Sequence, residues 1–446
     1  MVINKETFLR KLVFIWFWIF SCTGFVFDEC LPETFAPIGQ YILILCDLMT
    51  VVLMALTIRH KIDVCIILSF LVISYASSCM LNGLPLTVWG NGMRMFYGLL
   101  FVMPVVRYFW DDTERHDRFV EEWDRQLYAF LIVQAVCIIY QYMKYGAGDP
   151  VGGSFGAAGY SGTVSMSIYL VSFYLIRKHL DYDNLWTSVL KNWKYWVLLF
   201  PTFMNETKIS FVLLLLYFLL LMPIDRKLIR RLMLGLPLVA LVLTVSLYIF
   251  SSLTMYNGDF TAEEVFSDAW MSEYFYIDID ESKQTANWGL EYDNTMPDVP
   301  RLTKIAIIPF VMDEEPGHEW LGFGLGHFMN GSIMGTTAFY DDYEWLLIGT
   351  NPMIFFVMIQ LGLLGLIWYV VMHASWFFRT PWNFPKKDFN IQLFVLFLVI
   401  AMLVYGSFFR NVAFCFLVLS IFAMSWKATN GDEPENAETT AQTPEQ

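Results

Sequence analysis

Charged residues are scarce in this sequence. Asp, Glu, Lys and Arg make up 16% of its 446 residues, whereas soluble domains carry about 25%. Hydrophobic residues make up 57% of the chain, and its mean hydropathy is +0.51. So few charges would leave apolar surface exposed to water everywhere, which excludes an ordinary soluble domain. The composition predicts a membrane protein.

Several chemical signatures are also missing. The sequence has no Walker A lysine motif and no H-E-x-x-H pair, so it lacks the marks of ATP-driven transport and of zinc-dependent hydrolysis. Its seven cysteines form no C-x-x-C pair, and we predict neither a metal site nor a cofactor. The basic residues form no stripe of the kind that nucleic acid requires, so we expect no nucleic-acid partner.

Long apolar runs dominate what remains. Runs of about 20 mostly apolar residues predict transmembrane helices, and we place about 12 of them. The predicted spans are 10–27, 38–57, 63–82, 94–110, 127–145, 160–176, 194–206, 209–224, 232–251, 353–377, 389–408 and 411–426. Most of the 28 lysines and arginines then fall on the side of the N-terminus. The positive-inside rule places both termini in the cytoplasm. The predicted fold class is therefore an all-α polytopic membrane protein.

The spans divide the chain into four parts. Residues 1–251 hold the first nine spans, 252–352 form a large loop on the far side of the membrane, and 353–426 hold the last three spans. Residues 427–446 are rich in Glu, Thr and Pro, which predicts a disordered cytoplasmic tail. A loop as long as 252–352 predicts a small domain or a lid. Its stretch Arg301–Met312 is apolar at helical spacing, which predicts a helix along the membrane surface.

Polar residues at the far-side ends of the spans are the candidates for function, because ionisable groups at membrane depth usually have a partner or a role. Arg94, at the predicted start of the fourth span, either offers its guanidinium to a phosphate or carboxylate or reaches to lipid headgroups. Glu206 and Lys208 lie in the polar turn Asn205–Lys208 between two apolar runs. They form either a functional pair or a simple ion pair.

Two glycine-rich stretches add further candidates. The first, 152–162, predicts either an anion or sugar site made by backbone amides or close packing of helices. The second carries Gly322, Gly324 and Gly326 near the end of the large loop, with His327 beside them. It predicts either a sugar or phosphate pocket or a turn that docks the loop on the helices.

Taken in order, these pieces resemble the O-antigen ligase and polymerase superfamily of bacterial membrane glycosyltransferases, over roughly residues 10–426. The large periplasmic loop of that family typically holds an Arg-led helix, a Pro, the pattern Leu-Gly-x-Gly-x-Gly-x-Phe and then a span with Gly-x-x-Gly. Here the pattern reads Arg301, Pro316, Leu321-Gly322-Phe323-Gly324-Leu325-Gly326-His327-Phe328 and Gly362-Leu363-Leu364-Gly365. The resemblance also rests on Arg94, on the turn Gly153–Gly156 and on the turn Asn205–Lys208.

Two departures from the family pattern bear on activity. Ligases of the family usually carry His-Asn shortly before the Gly-x-x-Gly motif, whereas Asn351-Pro352 stands at that position here. Members also commonly carry Ser-Arg in the polar turn, where this chain has Lys208. These departures argue against a ligase, so a polymerase is the predicted activity.

The resemblance implies a helical bundle like that of GT-C glycosyltransferases, in the bacterial inner membrane. The implied activity is polymerisation, at the periplasmic face, of oligosaccharide units carried on undecaprenyl diphosphate. The implied partners are that lipid-linked oligosaccharide, the growing polysaccharide and a chain-length regulator. A ligase that transfers glycan to lipid A core or protein, and a flippase for the same units, are the alternatives.

The resemblance also implies roles for individual residues. Cationic side chains would hold the diphosphate leaving group without a metal, with the loop glycines lining the site; they are Arg94, Lys208, Arg301, Arg410, Gly322, Gly324 and Gly326. A carboxylate or imidazole would take the proton of the acceptor hydroxyl. The candidates for this base are Glu206, His327 and Asp341.

Overall fold

The structure of the protein is a computed structural model. It describes residues 5–146, 148, 150–157, 159–180, 185–205, 207, 209–221, 301–313, 317–328, 338–347, 351–378, 388–406 and 411–424. Within these residues every regular element is a helix and none is a strand. The predicted ninth span, residues 252–300 of the large loop and the predicted disordered tail lie outside the described residues.

The described helices fall into two groups along the chain. The first group is α1 (Lys5–Phe25), α2 (Ala36–Thr57), α3 (Lys61–Tyr75), α4 (Leu86–Met93), α5 (Tyr97–Trp110), α6 (Thr113–Tyr145), α7 (Ser161–His179), α8 (Leu185–Lys191), α9 (Trp193–Val197) and α10 (Ile209–Leu221). The second group is α11 (Arg301–Asp313), α12 (His318–Leu321), α13 (Ala338–Tyr343), α14 (Met353–Phe378), α15 (Asp388–Tyr405) and α16 (Val412–Met424).

Local chemistry sets the bounds of the longest helix, α6. At its start the Asp112 carboxylate accepts a hydrogen bond from the Arg115 amide at 3.1 Å, which satisfies one of the free donors of the first turn. That hydrogen bond holds the pKa of Asp112 below its ordinary value. At its end Gly146 adopts a φ of 81°, a left-handed conformation that glycine accepts and that stops the helix.

Five described segments are long and apolar enough to cross a membrane. They are Lys5–Cys30, Glu33–Thr57, Lys61–Leu81, Thr113–Tyr145 and Met353–Phe378. Shorter apolar helices are Tyr97–Trp110, Val212–Leu221, Phe389–Tyr405 and Val412–Ala423. The chain is therefore an all-α, multi-pass membrane protein, as the composition predicts. The total of about 12 spans stays a prediction.

Three helices form the centre of the bundle. α5 is buried from Gly98 to Trp110, α7 from Ser161 to Arg177, and α16 over its described side chains. A helix that faces lipid exposes one side, so burial on all sides places these three inside a ring of other helices. α5 and α16 pack closely because Gly98 lies against Cys415, where a Cβ would come within 2.6 Å of the sulfur.

The predicted span 194–206 is not one helix. It consists of the short helix α9 followed by a 3₁₀ turn, Phe200–Phe203. Pro201 lies in that turn, and its missing amide donor prevents a continuous α-helix. The segment nevertheless runs the length of α7 in the opposite direction. Its contacts with α7, from one end to the other, are Tyr195 with His179, Thr202 with Tyr169, and Asn205 with Ser165.

The glycine-rich stretch after α6 folds back into the bundle as a buried turn, 151–156. Gln141 brackets Gly153: it accepts from the Gly153 amide at 2.7 Å and donates to the Gly153 carbonyl at 3.2 Å. Gln134 brackets Ser154 in the same way, accepting from the amide at 2.9 Å and donating to the hydroxyl at 2.6 Å. Two amide side chains thus satisfy backbone groups that lipid could not.

The same turn packs closely against α1. A Cβ on Gly24 of α1 would overlap the carbonyl oxygen of Phe155. Residues 152–156 have the spacing G-x-S-x-G of hydrolase nucleophiles, but Ser154 is fully buried, follows no strand and is held by Gln134. Of the two roles predicted for this stretch, close helix packing accounts for what the described residues show.

Ion pairs mark the two ends of the bundle. At one end, which we call the N-terminal end, four pairs join residues that the sequence predicts to lie on the same side of the membrane as the N-terminus. These pairs are Arg10–Glu122, His60–Asp111, Asp63–Arg107 and Lys178–Asp124. At the opposite end Lys144 contacts Glu29 at 2.8 Å. That end also carries α11 and residues 317–328, and we call it the loop end. These contacts agree with predicted spans that run through the bundle in alternating directions. Which end of the bundle faces the cytoplasm stays a prediction.

The packing of α1 on the buried turn gives a stability test. Gly24→Ala should lower the free energy of unfolding by about 1–3 kcal/mol, because the new methyl group meets the Phe155 carbonyl and neither backbone can move freely. Gly90→Ala is the matched control, since Gly90 is also helical and has no atom within 4 Å of its Cβ position. Thermal unfolding in detergent measures both. Equal melting temperatures for the two variants would contradict the close contact.

Candidate functional site

The predicted glycine motif lies in a tight turn that we call the glycine segment, residues 317–328. Gly322, Gly324 and Gly326 all have left-handed backbones, with φ of 67°, 92° and 103°. Side chains with a Cβ rarely adopt this conformation. The alternating glycines therefore let the segment fold back on itself after the single-turn helix α12.

A break in α14 provides the surface on which the glycine segment docks. Gly362 interrupts that helix with φ 62° and ψ −160°, so carbonyls in the preceding turn are available to other donors. The Ile359 carbonyl accepts from the Phe323 amide at 2.9 Å, and the Gln360 carbonyl accepts from the Gly324 amide at 2.9 Å. The segment and the interrupted helix are joined through their backbones.

The end of the third span holds the other side of the segment. It continues beyond α3 as a π-helical turn, Ala76–Leu81. There the Ser77 hydroxyl donates to the Leu321 carbonyl, and the Ser78 hydroxyl accepts from the Leu325 amide at 2.7 Å. Just beyond it, Asn82 donates to the Gly322 carbonyl at 3.1 Å. Short polar side chains at the end of a span thus fix the loop in place.

The space around the three glycines explains their identity. A Cβ on Gly322 would come within 2.5 Å of the Gln360 backbone, and one on Gly324 within 2.9 Å of the Ser78 backbone. A Cβ on Gly326 would overlap the carbonyl of Val88 in α4. Of the two predicted roles, docking of the loop on the helices accounts for these contacts. Substrate binding by the glycines stays a prediction.

An aromatic cluster joins the glycine segment to α13. The ring of Phe339 packs against four others at centroid distances of 4.5–5.0 Å; they are Phe323, His327, Phe328 and Tyr343. Because Asp341 belongs to the same short helix as Phe339, the cluster brings two predicted bases, His327 and Asp341, into one region. Aromatic faces of this kind also suit the apolar faces of sugars.

His327 is neutral in this cluster at neutral pH. Burial lowers its pKa from 6.5 to about 4, because a half-buried imidazole loses the hydration that stabilises its charged form, and nearby His318 adds a smaller repulsion. A neutral imidazole has a free nitrogen lone pair and can accept a proton, although with a weak driving force.

Helix α11 carries two cationic side chains on successive turns. The Arg301 guanidinium lies 4.1 Å from the ring centre of Tyr405, at the loop end of α15. Lys304 is fully buried and donates to the Asn351 side chain at 2.8 Å, at the start of α14. In the family resemblance described above, Asn351 stands at the position where ligases usually carry histidine. Lys304 is not among the site residues that the sequence predicts.

Arg94 lies in the turn between α4 and α5. Before this turn Trp89 contacts Ser74 of α3, and after it Phe96 packs on Phe70, so the turn is held against α3. The predicted position of Arg94 at the outer start of the fourth span stays a prediction.

Arg94 forms an ion pair with an acid that the sequence analysis missed. Its Nε lies 2.6 Å from Oδ2 of Asp47, near the middle of α2. The Asp47 side chain is 10% exposed and the Arg94 side chain 34% exposed. An acid inside an apolar run is a recognisable signal of a buried partner, so Asp47 could have been found from the sequence.

The two described arginines of the predicted site contact different helices. Arg94 contacts Asp47 of α2, whereas Arg301 lies against Tyr405 of α15. Glu206, Lys208 and Arg410 lie outside the described residues. Whether Lys208 joins either arginine therefore stays a prediction.

Comparison with known proteins does not assign the chain to a family. No protein-family model matches it, and no curated protein matches it.

A pair of glycine variants tests the docking of the loop. Gly317→Ala and Gly326→Ala both force alanine into a left-handed backbone, at a cost of about 1–2 kcal/mol each. Only Gly326→Ala also meets backbone, since the nearest atom to a Cβ on Gly317 is 4.0 Å away. We expect Gly326→Ala alone to expose the glycine segment to limited proteolysis. Equal cleavage of both variants would show that strain, and not close contact, decides the effect.

His327 gives a pH test. The unfolded chain binds a proton near pH 6.5 and the folded chain only near pH 4, so the folded state should lose stability as the pH falls through that window. His327→Asn removes this loss. The melting temperature of the wild type should fall further than that of the variant between pH 6.5 and 4. Parallel curves would show that His327 is not held in its neutral form.

Proposed function

We propose that this protein is a membrane glycosyltransferase that polymerises oligosaccharide units carried on undecaprenyl diphosphate. The observation that carries the proposal is the placement of Arg301 and Lys304 on successive turns of α11, directly against the loop ends of α15 and α14. A cation at the loop end of a helical bundle, with a second, buried cation behind it and an aromatic cluster nearby, suits a substrate with a sugar attached to a phosphate.

The reaction requires the protein mainly to supply positive charge and to position the two substrates. An acceptor hydroxyl attacks the anomeric carbon of the donor sugar, and the bond from that carbon to the diphosphate oxygen breaks. The diphosphate leaves with the electron pair and needs nearby positive charge. Arg301 supplies that charge in this proposal, with Lys304 behind it and with Arg94, Lys208 and Arg410 as further candidates. No metal is required for this step.

One proton must also leave the acceptor hydroxyl. His327 and Asp341 are the candidates near the aromatic cluster, and Glu206 is the third. His327 is neutral at physiological pH, and a neutral imidazole can accept a proton. Phe339 and its neighbours would hold the acceptor sugar near these groups. The glycine segment holds the aromatic cluster against α14.

Arg301→Ala is the direct test of the proposed function. We expect the variant to remain in the membrane but to lose long-chain polysaccharide when it replaces the wild type in its own host. The reason is that the leaving diphosphate loses a cation, which typically reduces the rate by about 100-fold or more. Gel electrophoresis of surface glycan measures chain length, and Arg301→Lys should restore part of it.

A matched control uses the other end of the bundle. Arg59 also stacks on a tyrosine, with its guanidinium 4.6 Å from the Tyr108 ring centre, so Arg59→Ala removes the same kind of contact at the N-terminal end. It should leave chain length unchanged. Normal polymer from Arg301→Ala would remove Arg301 from the site. In a strain without the gene, single repeat units on the acceptor indicate a polymerase, carrier-bound polymer indicates a ligase, and absent export indicates a flippase.

A further inference from the structure

One side of α4 and α5 carries polar groups at helical spacing. Its exposed or half-exposed members are Thr87, Gly90, Asn91, Arg94 and Tyr97, and we call them the polar stripe. The residues between Asn91 and Tyr97 on the other side are buried; they are Gly92, Met93, Met95 and Phe96. Steps of three and four residues place the five members on one face, so the stripe continues across the turn between the two helices.

Three members of the polar stripe lack hydrogen-bond partners within the part of the chain that the structure describes. The side chains of Thr87, Asn91 and Tyr97 make no hydrogen bond to any residue that the structure describes. Hydrocarbon cannot satisfy a hydroxyl or an amide. A stripe of such groups therefore fits a face that meets a polar ligand or water.

Gly90 leaves room for that ligand. Among the described residues, no atom lies within 4 Å of the position that its Cβ would take, whereas a Cβ on Gly92, on the opposite side of α4, would overlap the glycine segment. The Gly90 side of α4 is thus open, and the opposite side is the docking surface described above. A headgroup on the open side can approach the helix backbone at Gly90.

The open side of α4 leads to a fixed positive charge at Arg94. Asp47 accepts from Nε of Arg94 at 2.6 Å, and this one contact orients the planar guanidinium. The terminal nitrogens of Arg94 make no hydrogen bond to a described residue, and the side chain is 34% exposed. A guanidinium held by one edge presents its other edge to two oxygens of a phosphate.

The depth of the pair restricts the ligand. Asp47 lies near the middle of α2, and the turn at Arg94 is held against α3. A charged group that enters from the side would have to cross hydrocarbon, so the ligand must arrive along the stripe from the loop end. A phosphate joined to a lipid is held at the membrane surface beside that end, and its chain can lie in hydrocarbon next to α2 while the phosphate reaches Arg94.

We propose that the polar stripe is a lateral binding site for the phosphate of a polyprenyl lipid, with Asp47 as the positioning residue of Arg94. The inference rests on the proposed function, because it takes the lipid to be the sugar carrier. It adds the route of entry, from the leaflet at the loop end between α2 and α4, and it assigns a role to an acid that takes no part in the chemistry.

The test measures binding without turnover. Purified protein in phosphatidylcholine nanodiscs is titrated with farnesyl diphosphate and, separately, with inorganic diphosphate, and thermal stabilisation reports binding. We expect farnesyl diphosphate to stabilise the wild type and inorganic diphosphate at the same concentration to have no effect. Asn91→Leu and Asp47→Asn should each weaken the farnesyl ligand by about tenfold or more.

Matched variants control for lost polarity and for a lost ion pair. Gln126→Leu exchanges another half-exposed amide for leucine on α6 and also removes its hydrogen bond from Trp18, so it disturbs the fold at least as much as Asn91→Leu does. Asp63→Asn removes the acid partner of a buried arginine at the N-terminal end. Both should bind as the wild type does. If one stripe variant fails to fold, the other still reports on the site.

Two outcomes overturn the inference. Equal stabilisation by inorganic diphosphate would show a site for soluble anions, and wild-type affinity in both Asn91→Leu and Asp47→Asn would place the lipid elsewhere. Polymer assays separate this result from the proposed function. Normal polymer with no binding at the stripe defeats the inference alone, whereas binding at the stripe by a protein that makes no polymer defeats the proposed function alone.

Discussion

The arrangement of the loop end depends on one interruption in a helix. An unbroken α14 would use its carbonyls internally, and the glycine segment would have no acceptors on it. The break at Gly362 frees two of them, and glycines on the partner segment allow the backbones to meet. Because the joint is made of backbone, it is rigid, and it fixes the aromatic cluster relative to the spans without using any side chain that chemistry could need.

The buried ion pairs of the bundle differ in how much of each cation stays exposed. At the N-terminal end the buried arginine Arg107 is paired closely with Asp63 and is almost completely covered. Arg94 differs, since it is paired with Asp47 and still keeps a third of its side chain exposed. A buried pair whose two charges are closed on each other adds little net stability. A paired guanidinium that stays partly exposed can also serve a ligand, which is the basis of the lipid site that we propose.

The sequence predicted the class of fold well, because an apolar run of about 20 residues has few stable places other than a bilayer. It also predicted the helix that begins at Arg301. It missed the break in the seventh predicted span, since hydropathy measures composition and not backbone continuity. It missed the contact between Lys304 and Asn351 and the docking role of Ser77 because those contacts join elements that are distant in the sequence. Such pairs are set by tertiary packing, which a single sequence does not show.

The irregular segment that runs beside α7 has a consequence for biogenesis. A helix of five residues followed by a 3₁₀ turn forms fewer internal hydrogen bonds than a continuous α-helix of the same length, and lipid offers no partners for the remaining groups. This segment cannot enter the bilayer alone as a stable helix. Its principal partner, α7, precedes it in the chain and supplies the serine that bonds to Asn205. During synthesis from the N-terminus, the scaffold is therefore made first, and the segment that depends on it follows.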